Sequence, residues 1–185
     1  MKNRAEFLLA ILFVLSTIGV NAQYVLSNDL SAIYIDGTSS IHDWTETVES
    51  MSGTLNVELD GSVISKVTGV NASIPVKSIK SGKGGMDDNT YAALKEKSHP
   101  NISYKLKSYS VQENVIHLTG MLTIAGVTKE VKFKSNYKVS GNQISFKANH
   151  AFKMTDFNIQ PPTAIMGTIK TGDEVTIRLE MVFSK

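Results

Sequence analysis

The chain has 185 residues, with 19 Lys and Arg against 17 Asp and Glu, and it has no cysteine. That length suits one domain with a sizeable core. The missing cysteines exclude disulfides, thiolate metal sites, a cysteine nucleophile and a lipid anchored through an N-terminal cysteine, and the near balance of charge supplies no field to hold nucleic acid.

The chain opens on Lys2 and Arg4, runs through an almost wholly apolar stretch over 7–20 broken by Ser16, Thr17 and Gly19, and reaches the small-residue site Val20-Asn21-Ala22. Basic, apolar and small in that order is the layout of a secretory signal peptide. The 14 residues of the apolar run fall short of the roughly 20 needed to span a bilayer. Residues 1–22 therefore read as a signal peptide and 23–185 as the exported domain, which has no membrane span. Without residues 1–22 the chain keeps 163 residues, 17 of them basic and 16 acidic.

From there on, apolar and polar residues alternate with period two, the mark of strands with one wet face. Strands are expected over 31–36, 43–51, 54–59, 63–76 and 115–124. Ile102, Tyr104 and Leu106 alternate with Ser103, Lys105 and Lys107; Val127, Val131, Phe133, Tyr137 and Val139 share one parity of the next run. Ile144, Phe146, Ala148, His150 and Phe152 follow, and Val175, Ile177, Leu179, Met181 and Phe183 close the chain. Asp60-Gly61, Ala125-Gly126 and Gly141-Asn142 each stand between two runs and read as tight hairpins. One helix is expected, capped by Asp87 or Asp88, continued by Tyr91, Ala92, Leu94 and Lys95, and stopped by Pro100. Gly82-Lys83-Gly84-Gly85 reads as a flexible connection into it, since it lacks the spacing of a phosphate loop.

The fold class that follows is all-β: an extended antiparallel, lipocalin-like β-barrel of about eight strands with one inserted short helix. Closure removes the exposed edges. A barrel of that size is either filled by its own side chains or holds one small ligand, and periodicity alone leaves both open. If it is hollow, the candidate lumen residues are Ile33, Ile35, Trp44, Ile102, Tyr104, Leu106, Ile116, Leu118, Leu122, Val131, Phe133, Tyr137, Phe146, His150, Phe152, Ile177 and Leu179. Such a slot suits a chain-like lipid, because ten to fifteen methylenes at about 0.8 kcal/mol each offset an association cost of order 4–15 kcal/mol.

Residues that could carry chemistry are few. His42, His99, His117 and His150 have no zinc-type spacing, so no metal and no cofactor are expected. His42 and Asp43 are neighbours in a strand and point to opposite faces, and no Gly-x-Ser-x-Gly elbow is present. His150 shares the parity of Phe146 and Phe152, which reads either as a buried histidine bonded to a hydroxyl such as that of Tyr104 or Tyr137, or as a mark of a ligand's polar end. Lys129 on the inward parity reads as a rim residue. Asp156 reads as a brace for the turn before Pro161-Pro162.

Several segments together carry a family resemblance. They are Gly37-Thr38-Ser39-Ser40-Ile41-His42-Asp43-Trp44, Met86-Asp87 with Tyr91 and Leu94-Lys95, and His99-Pro100-Asn101-Ile102-Ser103-Tyr104. Gly120-Met121-Leu122-Thr123-Ile124-Ala125-Gly126-Val127-Thr128-Lys129, Met154-Thr155-Asp156-Phe157-Asn158-Ile159 and Pro161-Pro162-Thr163-Ala164 complete the series. In order and spacing the chain resembles the YceI-like family, in a Bacteroidetes-type branch, over about residues 24–184. It has Leu30-Ser31 where many members carry His-Ser. The resemblance implies a lipocalin-like barrel that encloses a polyisoprenoid or similar amphiphile, in proteins usually exported to the periplasm, and a binder or carrier in place of an enzyme.

The leading expectation is thus a periplasmic or secreted carrier of a long apolar ligand, an isoprenoid lipid or quinone. The competing readings are a secreted structural or partner-binding barrel with a packed interior, and a lipid-modifying enzyme with His150 or His42 as base. Whether two chains pair as a homodimer stays open at this stage.

Overall fold

The structure, a computed structural model, describes residues 22–164 and 166–185; residues 1–21 of the expected signal peptide lie outside them. Its strands are β1 (Ala22–Leu26), β2 (Ala32–Ser39), β3 (Trp44–Val48), β4 (Ser52–Asp60), β5 (Val63–Pro75) and β6 (Ile79–Lys80), then β7 (Asn101–Gln112), β8 (Val115–Ile124), β9 (Val127–Ser140), β10 (Gln143–Lys153), β11 (Thr163–Ala164) and β12 (Ile169–Ser184). Among the described residues there is a single α-helix, α1 (Gly84–Ala93), inserted between β6 and β7.

Eight strands form a ring in the order β1-β4-β5-β7-β8-β9-β10-β12, and β12 returns to β1 through Val25↔Ser184 and Leu26↔Phe183. Every pairing is antiparallel. The expected hairpins stand where Gly61, Gly126 and Gly141 supply positive φ, the conformation glycine adopts without steric cost.

The ring forks along β12. Its C-terminal end holds β1, while residues 171–180 hold β2, which in turn holds β3 and then β6. Between β1 and β2 the chain leaves the ladder, and Ser31 restores it: Val182 N donates to Ser31 Oγ at 2.9 Å, and Ser27 N donates to Val182 O at 2.8 Å. β1 and β2 thus act as one broken strand, and β3 and β4 as its broken neighbour.

The two barrel ends differ. At the end that carries turns 61–62, 113–114 and 141–142, the inner side chains meet. Val57, Ile116 and Ile144 are each 0% exposed there, and Phe183 packs edge-on against Phe146 at 5.8 Å. Tyr137 completes this plug, since its hydroxyl accepts from Ile64 N at 3.3 Å and donates to Glu113 O at 2.9 Å. The opposite end carries loop 40–43, α1, the Ala125-Gly126 turn and residues 154–164. A smaller core of Ile124, Val131, Met154, Phe157, Ile159 and Val175 braces its rim.

Three local expectations are corrected here. β1 is a strand the alternation had not shown, because exposed Val25 interrupts it. α1 begins at Gly84, so Gly84 and Gly85 lie in the helix and its N-cap is Lys83, not Asp87 or Asp88. Asp87 instead sits in the first turn, where its Oδ1 accepts from Ser81 N at 2.8 Å and Ser81 Oγ at 2.6 Å. Asp156 does brace its turn, accepting from Lys153 N at 3.0 Å.

Candidate functional site: an apolar cavity

A cavity of about 620 Å³ runs inside the barrel from the plug to the α1 end. Near the plug its wall is Leu55, Ile116, Phe146 and Phe183; at the rim it is Ile41, His42, Trp44, Lys83, Pro162 and Ile169. The size lies within the roughly 300–1,000 Å³ usual for ligand pockets. The wall exists because each strand sends alternate side chains inward, and long β7, β8, β10 and β12 carry that alternation nearly the full depth of the barrel.

Fourteen of the seventeen candidate lumen residues line the cavity: Ile33, Ile35, Trp44, Ile102, Tyr104, Ile116, Leu118, Leu122, Phe133, Phe146, His150, Phe152, Ile177 and Leu179. Three are placed elsewhere. Tyr137 belongs to the plug. Val131 is buried in the rim core. Leu106 adjoins a bulge between residues 106 and 108, where β7 shifts register against β8, and packs into the main core.

Polar groups in this wall are few, and most are tied. Trp44 Nε1 donates to Thr38 O at 2.9 Å, and its indole lies over Gly37, where no Cβ would fit. Ser135 Oγ donates to main-chain oxygens of β9 and β10. The buried Tyr104 hydroxyl has no hydrogen-bond partner among the described residues, and burial pushes its pKa up to about 12. Phe133 stands between that phenol, 5.6 Å away edge-on, and the His150 imidazole at 4.7 Å.

His150 makes no hydrogen bond among the described residues, so the expected bond to Tyr104 or Tyr137 is absent. Burial lowers its pKa and favours the neutral ring. The remaining histidines do not converge on it. His42 Nδ1 lies 2.8 Å from the main-chain oxygen of Asp43, His99 covers Gly126, and His117 sits between Ile116 and Leu118 on the opposite parity. Lys129 is exposed beside the Ala125-Gly126 turn, the rim position expected.

Among the wall residues that the sequence reading passed over, one is an acid. Glu46, 2% exposed, shares the inward parity of Trp44 and Val48 on β3 and lines the cavity. Thr90 Oγ1 of α1 donates to its Oε1 at 2.5 Å. Burial raises its pKa, the Thr90 bond opposes that, and the nearby charge of Asp87 adds to it. The signal was present, as an acid on the apolar parity of 43–51.

α1 itself is held to the barrel by polar links. Lys80 Nζ lies 3.6 Å from Asp87 Oδ2 and donates to Tyr91 Oη at 2.6 Å. Together with Thr90–Glu46, these bonds seat Met86, Asn89, Thr90 and Ala93 in the cavity wall.

A sequence model described as the YceI-like domain matches residues 24–183. No curated protein matches the chain in sequence. Solved structures share the fold. BcnA of Burkholderia cenocepacia superposes with a TM-score of 0.72 at 18% identity, covering 85% of this chain and 98% of its own. A polyisoprenoid binding domain from Saccharophagus degradans, implicated in plant cell wall breakdown, gives 0.67 at 14% identity, with 87% and 97% covered. The YCEI protein of Campylobacter jejuni gives 0.61 at 19%, with 76% and 84% covered.

Proposed function

The chain belongs to the YceI-like family, and from that membership together with its cavity we propose that it binds one long apolar molecule, an isoprenoid lipid or quinone, inside the barrel and performs no chemistry on it. The observation that carries this reading is the cavity itself, lined mainly by apolar side chains over its depth and closed by the plug at one end. At about 30 Å³ per water-sized group, its volume accommodates roughly 20 non-hydrogen atoms, the bulk of four isoprene units. The polyisoprenoid binding domain among its structural relatives supports the same ligand class.

Residues 1–22 act in this reading as an export signal, and the domain works in the periplasm or outside the cell. Carrier function fits the wall's chemistry. Among the described residues His150 has no hydrogen-bonded carboxylate or hydroxyl, so it lacks the base–nucleophile pairing of covalent catalysis.

Trp44, the only tryptophan, lines the cavity and reports on its contents. Titration with a fluorescent long-chain lipid is expected to quench Trp44 emission saturably at one lipid per chain. Emission that does not respond, with no lipid retained after gel filtration, contradicts the reading.

A further inference from the structure

Among the described residues the cavity has a single acid in its wall, and that acid stands at the end where α1 covers the barrel. Glu46 engages Thr90 through Oε1, while its other oxygen has no hydrogen-bond partner among the described residues. No salt bridge reaches it either. Lys80, on the adjacent β6, is committed to Asp87 and Tyr91, and Lys83, a residue of the cavity rim, stands exposed at the start of α1. The positive end of the helix is already met by Asp87 in its first turn. Asn89 and Thr90 are the neutral polar groups that α1 adds to the wall beside it.

We propose that Glu46 is the headgroup site of the cavity: the ligand enters tail first toward the plug and leaves an uncharged hydroxyl against Glu46, and a phosphorylated headgroup is disfavoured there. The inference rests on the cavity being a lipid site. The free Glu46 oxygen is open to the cavity, since among the described residues only the Tyr104 hydroxyl is a fully buried side-chain polar atom without a partner. A ligand that covers it leaves it unpaired at a cost, unless it brings a group such as a hydroxyl, which can both give and take a hydrogen bond. A hydroxyl therefore matches the Glu46 oxygen whether that oxygen accepts or donates. A phosphate would set like charge beside Glu46 and Asp87 in a water-poor site, which opposes binding. At the plug end the wall is Leu55, Ile116, Phe146 and Phe183, which gives the tail its direction.

The test uses the purified protein and two C20 probes that share a tail, geranylgeraniol and geranylgeranyl diphosphate, each delivered from cyclodextrin in competition with a fluorescent lipid. The wild type is expected to bind the alcohol at least tenfold more tightly. Glu46→Gln keeps an oxygen for Thr90 and removes the charge. In that variant the alcohol should bind within about threefold of wild type, while the diphosphate tightens fivefold or more. Equal binding of the two probes by wild type overturns the headgroup site and leaves the lipid cavity standing, as does a preference ratio that Glu46→Gln leaves unchanged. Failure of both probes to bind removes the cavity reading and this inference together.

Discussion

The phenol of Tyr104 on β7 lies over Gly120 on β8, in the space that a Cβ at position 120 would need. The inner face of β8 is therefore built by a glycine on one strand and a ring from the next, a pairing that keeps the wall smooth between Leu122 and Leu118. Gly120→Ala is expected to cost about 1–3 kcal/mol by overpacking. Much of that cost should vanish in a Tyr104→Ala background, since the two residues share one space. Tyr104→Phe removes a buried hydroxyl that has no partner, so its stability should equal or exceed that of the parent. Urea midpoints of the parent and the four variants read all of this.

Two groups in the cavity wall pull the pH dependence in opposite directions. Burial lowers the His150 pKa, so its contribution is present above the ordinary value of about 6.5 and is lost as pH falls through the folded value. Burial raises the Glu46 pKa, so its contribution is present below the ordinary carboxylate range and is lost as pH rises through the folded value. Melting curves from pH 4 to 8 should show His150→Gln flattening the fall below about pH 6.5. Glu46→Gln should gain on the wild type as pH rises. A His150→Gln profile parallel to the parent's contradicts the assignment.

α1 rests on few ties, and Thr90–Glu46 is the one that reaches into the cavity. Thr90→Val removes the donor and leaves the acid unpaired, which costs about 1–3 kcal/mol. The loss should appear locally. Hydrogen exchange over residues 84–93 is expected to accelerate while the plug strands stay protected, and release of bound lipid should accelerate with it. Uniform acceleration through β8 to β10 would contradict a local role.

Much of this architecture was legible in the sequence because one face of each strand is wet. The alternations of β9, β10 and β12 place Phe133, Phe146, His150 and Leu179 on the inner face without reference to neighbours. What failed was whatever depends on register or on ends. The bulge between residues 106 and 108 moves Leu106 aside, and a strand's own sequence does not state where its partner slips. The sequence also gives no depth, so Tyr137 in the plug and Phe133 in the cavity looked equivalent. The Gly84-Gly85 pair hid the start of α1, since glycine disfavours helix interiors, and only the tertiary ties through Asp87 and Thr90 explain why the helix begins there. Glu46 was passed over because an acid on an inward parity is read as an exception to the pattern, although the exception is the informative part.

Filling the cavity separates binding from folding. Ala72 on β5 lines the wall beside Tyr104, its ladder partner on β7, and Ala72→Trp places an indole in the open volume. Lipid uptake should fall tenfold or more, with the melting temperature within a few degrees of the parent because the added ring occupies space no side chain held. Undiminished uptake would move the binding site out of the barrel.

Native mass spectrometry of the purified protein tests the hollow barrel most directly. The account predicts a 1:1 adduct with a single long-chain lipid, either carried through purification or formed on adding geranylgeraniol, and its loss on denaturation. A chain that flies bare under both conditions, at the mass of the polypeptide alone, would contradict it.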